Sequence, residues 1–299
     1  MKKLDLAYGN PAFLHPYWDE KTLKLPQIKS FTHSYTYDGI PELKDAIVKL
    51  HKQETNASTI NRYIVVGNGA GQVLSSAIHA LNSPVFAAIP HFQRFPFYAK
   101  NAGYPWMECY NPDFTQIITC PNNPDNFNEY HDYGCKKIFD LSYNWRTYTD
   151  PIFFDEDIMI FSLSKSLGMA SARIGWALVR DKKIAEKMRD YIEYNTGGVS
   201  IYSQMEAVDH LSSQLYDNNK IFDYGRIILR NRWCKIFQAK PDFIPLNING
   251  QFLWGLGNPP PNVEVVEGKK FGANDSFFRI NLGCSNKHFE TLLCYLQKK

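Results

Sequence analysis

The stretch Ile160-Phe161-Ser162-Leu163-Ser164-Lys165-Ser166-Leu167-Gly168, followed closely by Arg173-Ile174-Gly175-Trp176-Ala177-Leu178-Val179, decides how the chain reads. Two short apolar runs of this kind are the composition of strands buried on both faces. The first ends in hydroxyls and a lysine, and the second begins directly after an arginine. A lone lysine after a strand is usually a solvated charge. At the carboxyl end of a buried strand, where α/β sheets place their ligands, desolvation and neighbouring positive charge instead lower the amine pKa and make it a nucleophile toward aldehydes. Arg173 then offers a fixed fork to a phosphate already touched by Ser162.

Outward from this stretch, the spacing predicts strands at 63–66, 85–89, 106–110, 116–120, 137–141, 158–162 and 174–179, alternating with helical or Gly/Pro-rich connections. Seven such strands make one wide, mostly parallel sheet covered by helices, an α/β architecture of three layers. Helices are expected at 41–54, with Pro41 in the first turn and Leu43, Ala46, Ile47 and Leu50 on one face, and at 71–81. Another follows Asp181 as N-cap. The remainder, mostly helical from 203 to 238, then strands near 252–255 and 277–281 and a last helix from about 287, reads as a second, small α+β domain. The expected division is a large domain over 42–205, with 1–41 and 206–299 forming the small domain and the N-terminal segment.

Composition narrows the function. The 299 residues carry 33 Lys+Arg against 30 Asp+Glu, a net charge of +3 with no long basic block, which argues against a dedicated nucleic-acid or membrane-surface binder. The opening residues reach Asp5 and Gly9-Asn10-Pro11 before any apolar run develops, and no stretch approaches a membrane span, so a soluble cytoplasmic protein without a secretory signal is expected. The six cysteines are scattered, with no C-x-x-C pair and no histidine at ligand spacing, so no metal site is expected. Aromatic residues make up 15% of the chain, enough to fill a core and still line a pocket.

Three further stretches suggest a ligand site. Val65-Val66-Gly67-Asn68-Gly69-Ala70-Gly71-Gln72 runs from a strand through glycines into a helix, presenting N–H groups and a positive dipole end to an anion. It is not a dinucleotide fingerprint, because Gln72 stands where the third glycine belongs, nor a P-loop, because no Gly-Lys-Ser/Thr follows. Ile138-Phe139-Asp140-Leu141-Ser142-Tyr143 places an aspartate at a strand end. Such a residue either caps a loop or holds a heteroaromatic nitrogen protonated. Cys120-Pro121-Asn122-Asn123-Pro124-Asp125 reads alone as a turn.

In order and spacing these pieces resemble fold-type I pyridoxal-phosphate enzymes, and most closely the alliinase and plant tryptophan aminotransferase family. Arg62-Tyr63-Ile64-Val65-Val66-Gly67, Leu6-Ala7-Tyr8-Gly9-Asn10-Pro11, Gly268-Lys269-Lys270-Phe271-Gly272 and Phe278-Arg279-Ile280-Asn281 extend the likeness over nearly the whole chain. The resemblance implies an aspartate-aminotransferase-like large domain, pyridoxal 5′-phosphate held by Lys165 through a Schiff base, and a homodimer. It implies that Asp140 pairs with the pyridine nitrogen, that Asn123 and Tyr143 bond the ring's phenolic oxygen, and that Phe92 stacks on the ring. The phosphate is expected on the Gly69, Ala70 and Gly71 amides with Ser162 and Arg173. Arg279 is expected to bind the substrate carboxylate beside Gly9 and Asn123, and Tyr35 or Tyr37 to reach the partner subunit's phosphate.

The implied activity is transamination between an amino acid, with aromatic ones among the candidates, and a 2-oxo acid; alliinase-type elimination from Cβ uses the same residues, and a non-catalytic binding protein is a third reading. The chain departs from the family pattern at Asn126, where glycine is usual, and at Gly168-Met169-Ala170. It also has no counterpart of the cysteine-rich module of plant alliinases and is shorter than usual for the fold, which places substrate recognition in question more than cofactor binding.

Overall fold

A computed structural model of the chain describes residues 4–7, 11–19, 37–54, 61–152, 154–240 and 249–297. In chain order the elements are β1 (Leu4–Asp5), α1 (His15–Asp19), α2 (Pro41–Glu54), β2 (Tyr63–Asn68), α3 (Ala70–Leu81), β3 (Val85–Phe86), α4 (Phe95–Asn101), β4 (Thr115–Thr119), β5 (Lys136–Asp140), β6 (Ile158–Ser162), α5 (Leu163–Ser166) and β7 (Ile174–Val179). They continue with α6 (Lys182–Thr196), α7 (Ile201–Tyr216), α8 (Lys220–Ala239), β8 (Phe252–Leu256), β9 (Val263–Glu264), β10 (Val266–Glu267), β11 (Phe277–Asn281) and α9 (Asn286–Gln297).

The main sheet has the order β2-β7-β6-β5-β4-β3. Strands β3 to β6 are parallel, and β7 runs against both β6 and β2. The expected architecture therefore holds with six strands rather than seven. The segment at 106–110 makes one isolated parallel bridge, Trp106 to Val85, and then leaves the sheet. Its sheet neighbour β3 is itself only two residues long, so there is little edge to pair with.

Alternation along the strands builds the three layers. Val65, Ile117, Ile138, Ile160 and Ala177 pack with Val73, Leu74, Ala77 and Ile78 of α3 and with Met188 and Ile192 of α6. Their neighbours Ile64, Val66, Ile118, Phe139, Phe161 and Trp176 point the other way, onto Leu43, Ile47 and Leu50 of α2, Leu211 of α7 and Phe222 of α8. The N-cap of α6 forms as expected, with Asp181 accepting a hydrogen bond from the Ile184 amide at 3.0 Å.

The chain ends supply a smaller antiparallel sheet, β10-β11-β8, and a parallel pair in which β1 lies along β9. Asn126 joins the two sheets' territories. Its Nδ2 donates to the Phe252 carbonyl at 2.5 Å, and the Phe252 amide donates back to its Oδ1 at 3.2 Å. Asn126 has φ +60°, a left-handed conformation that asparagine and glycine reach at low cost, which accounts for the exchange of one for the other here. No helix among the described residues is long and apolar enough to cross a membrane.

Candidate active site

The topology brings the separate sequence motifs to one edge. Strands β2, β4, β5 and β6 all finish there, and β7, running the other way, starts there. Asn68, Thr119, Asp140 and Ser162 therefore end their strands beside Arg173, which precedes β7. A cavity of about 570 Å³ opens at this edge, lined by Asn123, Asp140, Tyr143, Ser162, Lys165 and Arg173 from the large sheet and by Arg279 from the small one.

Lys165 lies in the short helix α5, which Ser162 caps by accepting from the Ser164 amide at 3.2 Å. From behind, the Tyr148 hydroxyl donates to the Lys165 carbonyl at 2.8 Å, fixing the backbone under the side chain. Its ammonium sits 5.5 Å from the centre of the Tyr143 ring. Burial, reinforced by the positive charges of Arg279 and Arg173, lowers the Lys165 pKa to about 8 against the opposing pull of Asp140. Burial likewise raises the Asp140 carboxyl above its ordinary value, while hydrogen bonds from the Ser142 amide (3.1 Å) and hydroxyl (2.6 Å) support the charged form. Burial raises the Tyr143 hydroxyl too, so the phenol stays protonated.

Arg279 is 3% exposed and is clamped between the rings of Phe252 and Phe271, 4.5 and 5.0 Å from its guanidinium carbon. It donates to Asn123 Oδ1 and to the Ala7 carbonyl, both at 2.6 Å, and its Nε has no protein partner among the described residues. Since Arg279 occupies Asn123 Oδ1, the Asn123 Nδ2 is the atom left for a ligand oxygen. Burial lowers the Arg279 pKa to about 10, still well above neutrality, so the site keeps a permanent cation.

The glycine turn is built for close approach. A Cβ at Gly69, where φ is +81°, would lie 2.5 Å from Arg173 Nη2, and one at Gly175 would lie 2.3 Å from the Ala70 nitrogen. The Gly69 amide itself donates to the Gly67 carbonyl at 2.8 Å, so the anion cup is narrower than expected: Gly69 supplies the turn, and Ala70 and Gly71 supply the unpaired first-turn N–H groups of α3. Phe92, expected to stack on the cofactor ring, lines the cavity. Gly9 and Tyr35 lie outside the described residues, and Tyr37 does not line the cavity. Arg94 and Tyr98 line it although their sequence gave no warning beyond an i, i+4 spacing around Pro96.

Among known proteins, the family model described as Allinase (Alliinase_C) matches residues 4–242. The chain belongs to this family. Tryptophan aminotransferase-related protein 3 of Arabidopsis thaliana is 31% identical to it over 362 residues, spanning 99% of this chain and 78% of that protein. Alliin lyase of Allium cepa var. aggregatum is 30% identical over 78% of this chain and 60% of its own length. The fold superposes on an aromatic aminotransferase from Pyrococcus horikoshii OT3 with a TM-score of 0.81 at 18% identity, covering 99% of this chain and 94% of that one. Aspartate aminotransferase from Thermus thermophilus with maleate gives 0.76 at 16%, covering 99% and 91%.

The chain is thus a fold-type I member of the alliinase group, whose cofactor is pyridoxal phosphate. Its own residues fit that group. A raised carboxyl faces a depressed amine across one cavity, an arginine-backed helix start stands ready for a phosphate, and a buried guanidinium keeps one donor unfilled.

Proposed function

We propose that the protein is an aminotransferase that moves an amino group between an amino acid, an aromatic one among its substrates, and a 2-oxo acid. The carrying observation is Arg279: a buried cation with an unfilled Nε, facing the same cavity as Lys165 and Asp140, is suited to a substrate α-carboxylate. The names of the Arabidopsis relatives support the aromatic substrate class.

When bound, pyridoxal phosphate supplies an acceptor for the electron pair freed as a bond to Cα breaks. Asp140 holds the proton on the pyridine nitrogen, and Tyr143 and Asn123 Nδ2 orient the ring through its phenolic oxygen. Arg279 would bind the substrate carboxylate and so fix which bond to Cα is presented for cleavage. Lys165, its amine pKa lowered to about 8, would serve as the general base and acid that moves the substrate's Cα proton. We assign the cofactor machinery to a large domain at 42–205 and closure over the substrate to a small domain from both chain ends. The working unit in this reading is a homodimer, with Tyr35 or Tyr37 reaching toward the partner's site.

Elimination from Cβ is the second reading, favoured by the alliin lyase relatives. The two differ in products. Purified holoenzyme mixed with single amino acids, tryptophan and phenylalanine first, is expected to yield one equivalent of 2-oxo acid per site and then stop until an acceptor is added. Continuous release of ammonia without an acceptor would replace transfer by elimination.

A further inference from the structure

Two cavity residues have no place in the scheme above: Arg94, at the start of α4, and Tyr98, one turn later. The Tyr98 ring packs on the first turn of α3 so tightly that a Cβ at Gly71 would lie 2.6 Å from its hydroxyl and 2.7 Å from its Cζ. Its backbone is fixed there, the amide donating to the Arg94 carbonyl at 3.0 Å and the carbonyl accepting from Ser75 Oγ of α3 at 3.3 Å. The Arg94 guanidinium stands close enough to the Tyr98 hydroxyl for its charge to act on it. A phenol both donates and accepts, so the Tyr98 hydroxyl can offer its proton to the oxygen of an anion in this cavity. Burial raises the Tyr98 pKa, which keeps that proton in place.

Charge points the same way. Arg94, Arg173 and Arg279 all line this cavity, and none makes an ion pair among the described residues. Arg279 answers a carboxylate. A phosphate monoester carries about two negative charges, and Arg173 alone would leave one of them uncompensated. Arg173 also spends two donors on the Ala170 and Asn68 carbonyls, at 3.0 and 3.3 Å.

We infer that Arg94 and Tyr98 complete the cofactor's phosphate site from within the same chain, opposite Arg173 and over the Ala70 and Gly71 amides. The inference rests on the cofactor assignment of this cavity and concerns binding rather than turnover. It is tested by titrating apo-protein with pyridoxal phosphate and, separately, with pyridoxal, which lacks the phosphate, and reading the dissociation constants from absorbance or fluorescence. Arg94→Ala is expected to weaken pyridoxal phosphate about tenfold and Tyr98→Phe a few-fold, with pyridoxal unchanged in both, as for the loss of single hydrogen bonds to a charged group. Arg94 is exposed and Tyr98→Phe keeps the ring, so both variants retain the packing. Parallel weakening of pyridoxal, or no change for either ligand, would overturn the inference. Wild-type protein that binds neither ligand would remove the cofactor assignment and the inference with it.

Discussion

The cavity's two walls are made in different ways. On the cofactor side, Asp140, Ser162 and Arg173 sit at or next to the ends of β5, β6 and β7, three adjacent strands whose spacing is set by backbone hydrogen bonds, with Ser162 directly opposite Gly175 in register. On the carboxylate side, Arg279 comes from β11, its partners Asn123 and Ala7 come from a loop and the N-terminal segment, and its flanking rings come from residues 252 and 271. The first wall is as rigid as the sheet. The second stands on a separate small sheet and is joined to the first through side-chain bonds such as Arg279 to Asn123, so it is the one that can be loosened without disturbing the other.

Five perturbations test that contrast. Lys165→Ala is expected to lower kcat by about 10³-fold or more, the scale of losing a general acid–base together with the covalent anchor, while the melting curve stays close to wild type; near-normal turnover in a steady-state assay would refute the role of the lysine. Arg279→Ala should cost about 10²-fold in kcat/KM, mainly through KM, as expected for a bidentate charged contact. Its cofactor spectrum should be unaltered, and a lost spectrum would mean that the two walls are not separable. Arg279→Lys should recover only part of the loss, because an ammonium cannot form the fork.

Asn126→Gly addresses the joint between the walls. Glycine accepts the φ of +60°, so the backbone is not strained, but both bonds to Phe252 disappear. KM is expected to rise about tenfold, with kcat nearly constant and the melting temperature a few degrees lower. Unchanged KM would show that the Phe252 strand holds Arg279 without this clamp. The smallest effect is in pH. Because burial lowers the Lys165 pKa to about 8 and the neutral amine is the reactive form, cofactor capture by apo-protein should quicken with rising pH, about fivefold from pH 7 to 8, and level off above. A midpoint near the ordinary lysine value of 10.5 would contradict the depressed amine.

The contrast also explains what could be read from the sequence. The rigid wall consists of short contiguous strings, each a strand with its own end, so Asp140, Ser162, Lys165 and Arg173 were all legible one string at a time. Arg279 needed a family likeness, because an arginine inside Phe278-Arg279-Ile280 carries no local sign of being buried between two rings. Tyr98 reaches Gly71 only because α4 packs across α3, a contact that no periodicity announces. The strand expected at 106–110 failed for a related reason: its composition suits a strand, but its edge neighbour offers only Val85 and Phe86 to pair with. At Gly69 the glycine's freedom serves the turn itself, its amide bonding the Gly67 carbonyl, a use that the string Gly67-Asn68-Gly69 does not announce.

Strand β7 carries one more consequence. It pairs Gly67 with Gly175 and Ser162 with the same glycine, so it is the piece that brings the turn of β2 alongside the end of β6. Those partners are separated by nearly the whole intervening domain, and closing so long a loop costs chain entropy that no local contact returns in advance. The anion cup therefore depends on a pairing between stretches far apart in the chain. The same pairing carries Arg173, which directly precedes β7, to the start of α3, where it donates to the Asn68 carbonyl at 3.3 Å.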